Sequence, residues 1–221
     1  MPEQIHHYHN GLSQPCRSIL LLLKATNTPH VVKPVDIFKD EHKKPEFPHP
    51  FNNVPVMVQG DFVLTESVAI ARYILNSGKA ADHWYPTDPK KRARVDEFLS
   101  YHHGTIRKAG VQIAMKCVLI PMGSGKPCTK EDRKQVLEDF DKALEKFEGY
   151  FLKNGSCIAG DKVSIADVFA VSEILQAAMG GTDFLAGHPK TQALVDKVKA
   201  ATPYFDEVFK PFNDFVKAHV K

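Results

Sequence analysis

The stretch Val54-Pro55-Val56-Met57-Val58-Gln59-Gly60-Asp61-Phe62-Val63-Leu64-Thr65-Glu66-Ser67 decides the fold. Val56-Met57-Val58 and Phe62-Val63-Leu64 flank Gln59-Gly60-Asp61, which together read as a β-hairpin. Thr65-Glu66-Ser67 then opens a helix, because Ala69, Ile70, Tyr73 and Ile74 recur at helical spacing. The stretch is therefore a β-β-α unit.

Upstream, Gln4–His9 predicts a short strand that ends at the turn Asn10-Gly11. Pro15 suits the start of a helix, where its missing N–H costs nothing. Cys16, Ile19, Leu20 and Leu23 then give that helix one buried stripe, and Thr28-Pro29 stops it. Val31–Ile37 is β-branched and predicts a second strand, but Pro34 cannot donate a ladder hydrogen bond. That places the strand at a sheet edge. A helix joins the first two strands, so they should be parallel with a right-handed crossover. The polar run Lys39–Lys44 and a proline-rich loop from Pro45 to Pro55 lead back to the hairpin.

Downstream the signals are helical. Asn76–Pro86 reads as a connector, and Asp88-Pro89 restarts a helix expected to run to about Leu119, with Gly104 and Gly110 inviting a bend. Thr129-Lys130-Glu131-Asp132 resembles a capping box before Leu137, Phe140, Leu144, Phe147 and Phe151. Ser164-Ile165-Ala166-Asp167 is another, with Val163 and Val168 as its hydrophobic staple. Two further helices fit Lys190–Ala201 and Tyr204–His219. The expected organisation is an α/β domain over residues 1–80 followed by an all-α helical domain over residues 88–221.

Composition removes several functions. With 43% hydrophobic and 25% charged residues, the chain is an ordinary globular protein rather than a disordered one. No apolar run approaches the ~20 residues of a membrane span, and the amino terminus has no signal-peptide pattern. The 29 basic residues are scattered among 26 acidic ones, which argues against a nucleic-acid partner. Cys16, Cys117, Cys128 and Cys157 form no CxxC pair, so they read as thiols of a reducing compartment and the protein as cytoplasmic. His6, His7 and His9 suggest metal, but strand alternation puts His6 on the face opposite the other two, so no metal is expected.

Three places gather groups that a small anionic ligand would want. Ser13-Gln14-Pro15-Cys16-Arg17 lies where a strand turns into a helix, with backbone N–H groups and the positive dipole end outward; ordinary capping explains it as well. Val54-Pro55 precedes a strand, and a cis proline there would offer the valine's N–H and C=O to an extended peptide, whereas a trans turn would not. Glu66-Ser67 starts another helix, suited to a carboxylate on the backbone N–H groups and an ammonium on Glu66.

Taken together, this order of elements and motifs resembles the glutathione transferases, and the theta class in particular. The resemblance rests on Leu12-Ser13-Gln14-Pro15-Cys16-Arg17, Gly60-Asp61-Phe62, Leu64-Thr65-Glu66-Ser67, His83-Trp84-Tyr85-Pro86, Arg92-Ala93-Arg94-Val95-Asp96-Glu97 and the Ser164 capping box. It implies a thioredoxin-like amino-terminal domain, an all-α carboxy-terminal domain, a homodimer, and attack of glutathione on a small hydrophobic electrophile in detoxification. Glutathione would be a co-substrate, with no other cofactor. Ser13 matches the theta-class catalytic serine, whose hydroxyl donates to the glutathione sulfur. His42 and Lys43 match positions that hold the glycine carboxylate. Val54, beside Pro55, would pair with the cysteinyl backbone, and Glu66 and Ser67 would hold the γ-glutamyl end. The pocket for the second substrate is expected to include Leu12, His103 and Arg107, with Arg107 serving that substrate rather than glutathione.

Some positions depart from the family pattern. Asn53 borders the glutathione site where relatives usually carry lysine, His49 stands where asparagine is common, and Gly104 replaces an acidic residue. The sequence ends at Lys221, before the extension that covers the pocket in many animal theta enzymes. The chemistry itself needs no base or metal. Glutathione taken as a thiol of pKa ~8.5 is about 3% thiolate at pH 7. A hydrogen bond to a charged acceptor contributes roughly 1.5–3 kcal/mol, enough to lower that pKa by about one to two units. Two other readings use the same fold: thiol transfer by Cys16, and a non-catalytic ligand-binding or structural protein. Tyr8, the other hydroxyl near the end of the first strand, is expected to pack under the helices.

Overall fold

Alternation builds β1 (Ile5–His9), whose Ile5 and His7 are buried while His6 and Tyr8 are half-buried on the other face. The computed structural model describes residues 3–48, 51–78 and 80–220; His49 lies outside them. Tyr8 stands edge-on to Phe47 of the loop, with ring centroids 5.7 Å apart, instead of packing under the helices. α1 (Gln14–Ala25) is buried continuously from Gln14 to Leu23, because β1 and helices of both halves pack around it. The single stripe read from Cys16, Ile19, Leu20 and Leu23 therefore understates its burial.

β2 (His30–Pro34) runs parallel to β1 at the sheet edge, and Pro34 is its last residue. The strand is shorter than Val31–Ile37 because Asp36 accepts hydrogen bonds from the Phe38 and Lys39 amides and starts a 3-10 turn. β3 (Val56–Gln59) pairs antiparallel with β1, and β4 (Phe62–Leu64) closes the hairpin. The order β2-β1-β3-β4 makes one mixed sheet. α2 (Ser67–Ser77) follows directly.

The remainder is helical. α3 (Pro89–Tyr101) is capped by Asp88, which accepts from the Lys90 and Lys91 amides. The helix expected to reach Leu119 breaks first: His102–Gly104 form a 3-10 turn, and Thr105 leaves the helical region at φ −125°, ψ −101°. α4 (Ile106–Ala114) restarts the chain, a π turn covers Met115–Leu119, and α5 (Ile120–Ser124) is one short helix. The break falls at Gly104, whereas Gly110 stays helical. A Cβ at Gly110 would meet the Glu173 carbonyl oxygen at 3.3 Å, so glycine lets α4 approach the next buried helix closely. α6 (Lys130–Tyr150), α7 (Ile165–Leu175), α8 (Pro189–Ala201) and α9 (Phe205–His219) complete the domain. Thr129 caps α6, and the wholly buried Asp167 of α7 accepts from the amides of Ile158 and Ser164 and from the Ser164 hydroxyl.

One hydrophobic cluster runs through both halves, and a cation is sealed inside it. Arg17 of α1 has no exposed surface. Its guanidinium carbon lies 4.8 Å and 4.3 Å from the ring centroids of Phe209 and Phe212 on α9. Nη1 donates to the Gly11 carbonyl at 2.9 Å and Nη2 to Gln176 Oε1 at 2.7 Å. Burial lowers its pKa to about 9, so it stays cationic at neutral pH.

Buried histidines give the fold an acid limit. Burial, reinforced by the neighbouring His9, pushes His7 down to about 3; burial and then Arg17 push His9 to about 4. Burial and then His103 push His102 to about 3. Groups with depressed folded pKa values contribute stability above pH 6.5, and it is lost as pH falls toward the folded values. Glu173, raised by burial to about 7, has the opposite sign and offsets one proton of this uptake. The three histidines and Glu173 by themselves give the unfolded chain about two more protons than the native one between pH 6 and 4.5, a loss of about 2.7 kcal/mol per pH unit from these four groups. Denaturant melts at successive pH values should show stability falling over this range, and His102→Phe should reduce the slope by about 1.4 kcal/mol per unit. An unchanged slope in that variant would refute the assignment.

Candidate functional site

Two helix starts and one loop line a pair of hollows. Ser13 is the N-cap of α1, at φ −82° and ψ 119°, and its hydroxyl makes no bond to the helix's own amides. It sits beside the Cys16 thiol. Glu66 is the N-cap of α2 at φ 64° and ψ 107°, a backbone conformation costly for a non-glycine residue and concentrated at functional sites. Ser67, the first residue of α2, is buried beside it. Between the two helix starts runs Val54-Pro55, whose peptide bond is cis.

Two hollows adjoin along that loop. The first, of about 210 Å³, is lined by Pro15, Asn53, Val54, Pro55, Glu66, Ser67, His103 and Arg107. The second, of about 270 Å³, holds Leu12, Ser13 and His42 against an apolar wall of Val111, Ala114, Met115, Leu119 and Met179. Asn53 and Val54 line both hollows, so an extended ligand passing from one to the other runs along the Val54 backbone. His42 lines the second hollow, and its Nδ1 is buried without a hydrogen-bond partner among the described residues.

Two residues expected beside Leu12 line the other hollow. His103 and Arg107 lie with Glu66 and Ser67, not with Leu12 as expected for a second-substrate pocket. The break after α3 starts α4 beside the polar hollow, and Arg107 Nη1 donates to Glu173 Oε1 of α7 at 3.1 Å. Glu173 is fully buried and ion-paired, and burial, partly offset by Arg107 and Arg17, raises its pKa to about 7. His103 is held low by desolvation and by Arg107. Lys43 lines neither hollow; one turn apart on a short helical segment, it pairs with Asp40 at 2.8 Å. The wall residues Val111, Ala114, Met115 and Leu119 were missed from sequence. Their helical spacing was visible, but a core helix would show the same pattern.

Cys16 cannot serve as a ready nucleophile. It has no exposed surface, and burial pushes its thiol up to about 11, so it is un-ionised at neutral pH. Among the described residues no cluster of three or more His, Cys, Asp or Glu could hold a metal ion.

The profile of the glutathione S-transferase N-terminal domain matches residues 3–76, and that of the C-terminal domain matches residues 109–201. The chain belongs to the glutathione S-transferase family. Within that family it is similar to the theta class: bovine glutathione S-transferase theta-1 is 36% identical over 196 residues, covering 88% of this chain and 82% of the bovine one. Human glutathione transferase theta-2, solved in complex with glutathione and an unknown ligand, superposes with a TM-score of 0.91 at 30% identity, covering 96% of this chain and 89% of that one. A human theta-class transferase in complex with the glutathione conjugate of 1-menaphthyl sulfate gives 0.90 at 29%, covering 97% and 89%.

Proposed function

We propose that this chain is a theta-like glutathione transferase in which Ser13 ionises bound glutathione for attack on a small apolar electrophile. The observation that carries the reading is the pair of adjoining hollows, polar around Glu66 and Ser67 and apolar around Ser13. The γ-glutamyl ammonium binds Glu66 and its carboxylate the α2 amide end, with Arg107 and His103 on the same side. The cysteinyl backbone runs along Val54, and the glycine carboxylate reaches Asn53 and the His42 side chain, which line the second hollow. The sulfur then meets the Ser13 hydroxyl, and the electrophile rests on Leu12, Val111, Ala114, Met115 and Leu119.

Bound glutathione releases its thiol proton to solvent water, the thiolate attacks the electrophilic carbon, the carbon–sulfur bond forms, and the leaving group departs with the electron pair. Ser13 donates its hydrogen bond throughout and needs no partner base. Retention on immobilised glutathione, followed by a panel of electrophiles assayed with and without glutathione, tests the reading. Failure to bind glutathione would overturn it in favour of a non-catalytic role.

Arg107→Ala should raise the KM for glutathione by about tenfold and leave that for the electrophile nearly unchanged, since a hydrogen bond to a charged group contributes roughly 1.5–3 kcal/mol. The opposite split would return Arg107 to the electrophile side.

The working form is a homodimer of the cytoplasm, acting in detoxification. Support comes from Phe62 and Val63, exposed on β4, and from four cysteines without disulfides. No helix among the described residues is long and apolar enough to cross a membrane. The contact is formed by α2 and α3, which the Arg72–Asp96 ion pair already links within the chain. Light scattering at micromolar concentration should give twice the mass of one chain; a single-chain mass would rule the dimer out.

A further inference from the structure

The Ser13 hydroxyl is aimed by the backbone that carries it. It makes no capping bond to the α1 amides, so its direction follows from the turn over residues 10–13. Asn10 spans that turn. Its Oδ1 accepts from the Leu12 amide at 2.9 Å, and its backbone carbonyl accepts from the Ser13 amide at 3.1 Å. Asn10 Nδ2 donates to the carbonyl of Val35, the residue after β2, at 2.9 Å. Val35 is itself tied to β1, because its amide donates to the His9 carbonyl at 2.8 Å. Both ends of the Asn10 amide are therefore used, one as acceptor and one as donor; alanine would make neither bond and an ionised aspartate only the first. The helical domain meets the same turn from the other side. The Gly11 carbonyl accepts from Arg17 Nη1 at 2.9 Å, and a Cβ at Gly11 would meet Pro211 Cβ of α9 at 2.8 Å, so the turn sits directly on α9.

We propose that Asn10 is a positioning residue for Ser13: its two side-chain hydrogen bonds hold the turn at the angle that points the serine hydroxyl at the glutathione sulfur. The inference rests on the reading of Ser13 given above. Asn10 lines neither hollow, whereas Leu12 and Ser13, whose amides it binds, both line the apolar one. It acts through Ser13 and not on the ligand. A hydrogen bond weakens steeply as its angle departs from linear, so a loosened turn costs the thiolate its donor while the fold persists. The groups proposed to hold the peptide, Val54, Glu66 and Ser67, stand on other elements, so the loss falls on the chemical step.

The test is a double-mutant cycle of Asn10→Ala and Ser13→Ala, read as steady-state rates from pH 6 to 9 with glutathione varied. Asn10→Ala should lower kcat at neutral pH by about three- to tenfold and raise the pH–rate midpoint by about half to one unit, part of what the whole serine hydrogen bond supplies. The KM for glutathione should stay within about twofold of the wild-type value. Added to Ser13→Ala, the same substitution should change neither kcat nor midpoint further, since the hydroxyl it aims is already gone. Asn10→Ser keeps an acceptor for the Leu12 amide and loses the tether to Val35, so its midpoint should fall between wild type and Asn10→Ala. An unmoved midpoint in Asn10→Ala, a loss carried by KM, or an equal loss with and without the Ser13 hydroxyl would overturn the proposal. If circular dichroism shows Asn10→Ala unfolded, Asn10→Ser decides, and a wild-type midpoint there overturns it. A Ser13→Ala variant that keeps the wild-type midpoint would instead refute the role of Ser13 itself, and this inference with it.

Discussion

Ser13→Ala is expected to lower kcat at neutral pH by about ten- to a hundred-fold, since one hydrogen bond to a thiolate contributes roughly 1.5–3 kcal/mol. The same free energy raises the pKa of bound glutathione, so the pH–rate midpoint should move upward by about one unit or more. The KM for glutathione should change only a few-fold, because the groups proposed to bind the peptide lie elsewhere, along Val54 and at Glu66 and Ser67. Tyr8→Phe should keep both rate and midpoint, because Tyr8 packs on Phe47. Steady-state rates from pH 6 to 9, with glutathione varied, measure kcat, midpoint and KM in both variants. If the two variants exchanged behaviour, the thiolate would be held by Tyr8 and the theta-like mechanism would be abandoned.

The second large effect concerns Arg17. Arg17→Met should destabilise the fold by about 3 kcal/mol or more, read as a lower urea midpoint at unchanged m. The substitution leaves the Gly11 carbonyl and Gln176 Oε1 without their donor, removes a cation held against two aromatic rings, and takes a positive charge away from Glu173. Arg17→Lys should recover little of the loss, since an ammonium cannot reproduce the guanidinium fork. A change below about 1 kcal/mol would mean that packing alone replaces the polar contacts, as some buried ion pairs allow. Because α1 begins at Ser13 and Arg17 binds both α7 and α9, this one side chain ties the position of Ser13 to the helical domain.

Local pattern was enough wherever each element depends on its own residues. The hairpin at Gln59-Gly60-Asp61, the Pro34 edge strand, and the caps at Asp88 and Thr129 all follow from backbone donors and acceptors within a few positions, and the structure has each of them. The helix starts that hold Ser13 and Glu66 were legible for the same reason.

What depended on distant partners was not legible. Nothing near Arg107 in sequence says that its guanidinium would find Glu173, 66 residues away, and so face the polar hollow. The amphipathic spacing of α1 could not tell one buried face from burial all round, since that depends on how many helices arrive. By itself the sequence determined the order of elements, the two helix N-termini and the proline between them, because short-range hydrogen bonding and sterics set these. Only the tertiary structure decided which side chains share a hollow, because burial and long-range charge pairing exist only once the chain has packed.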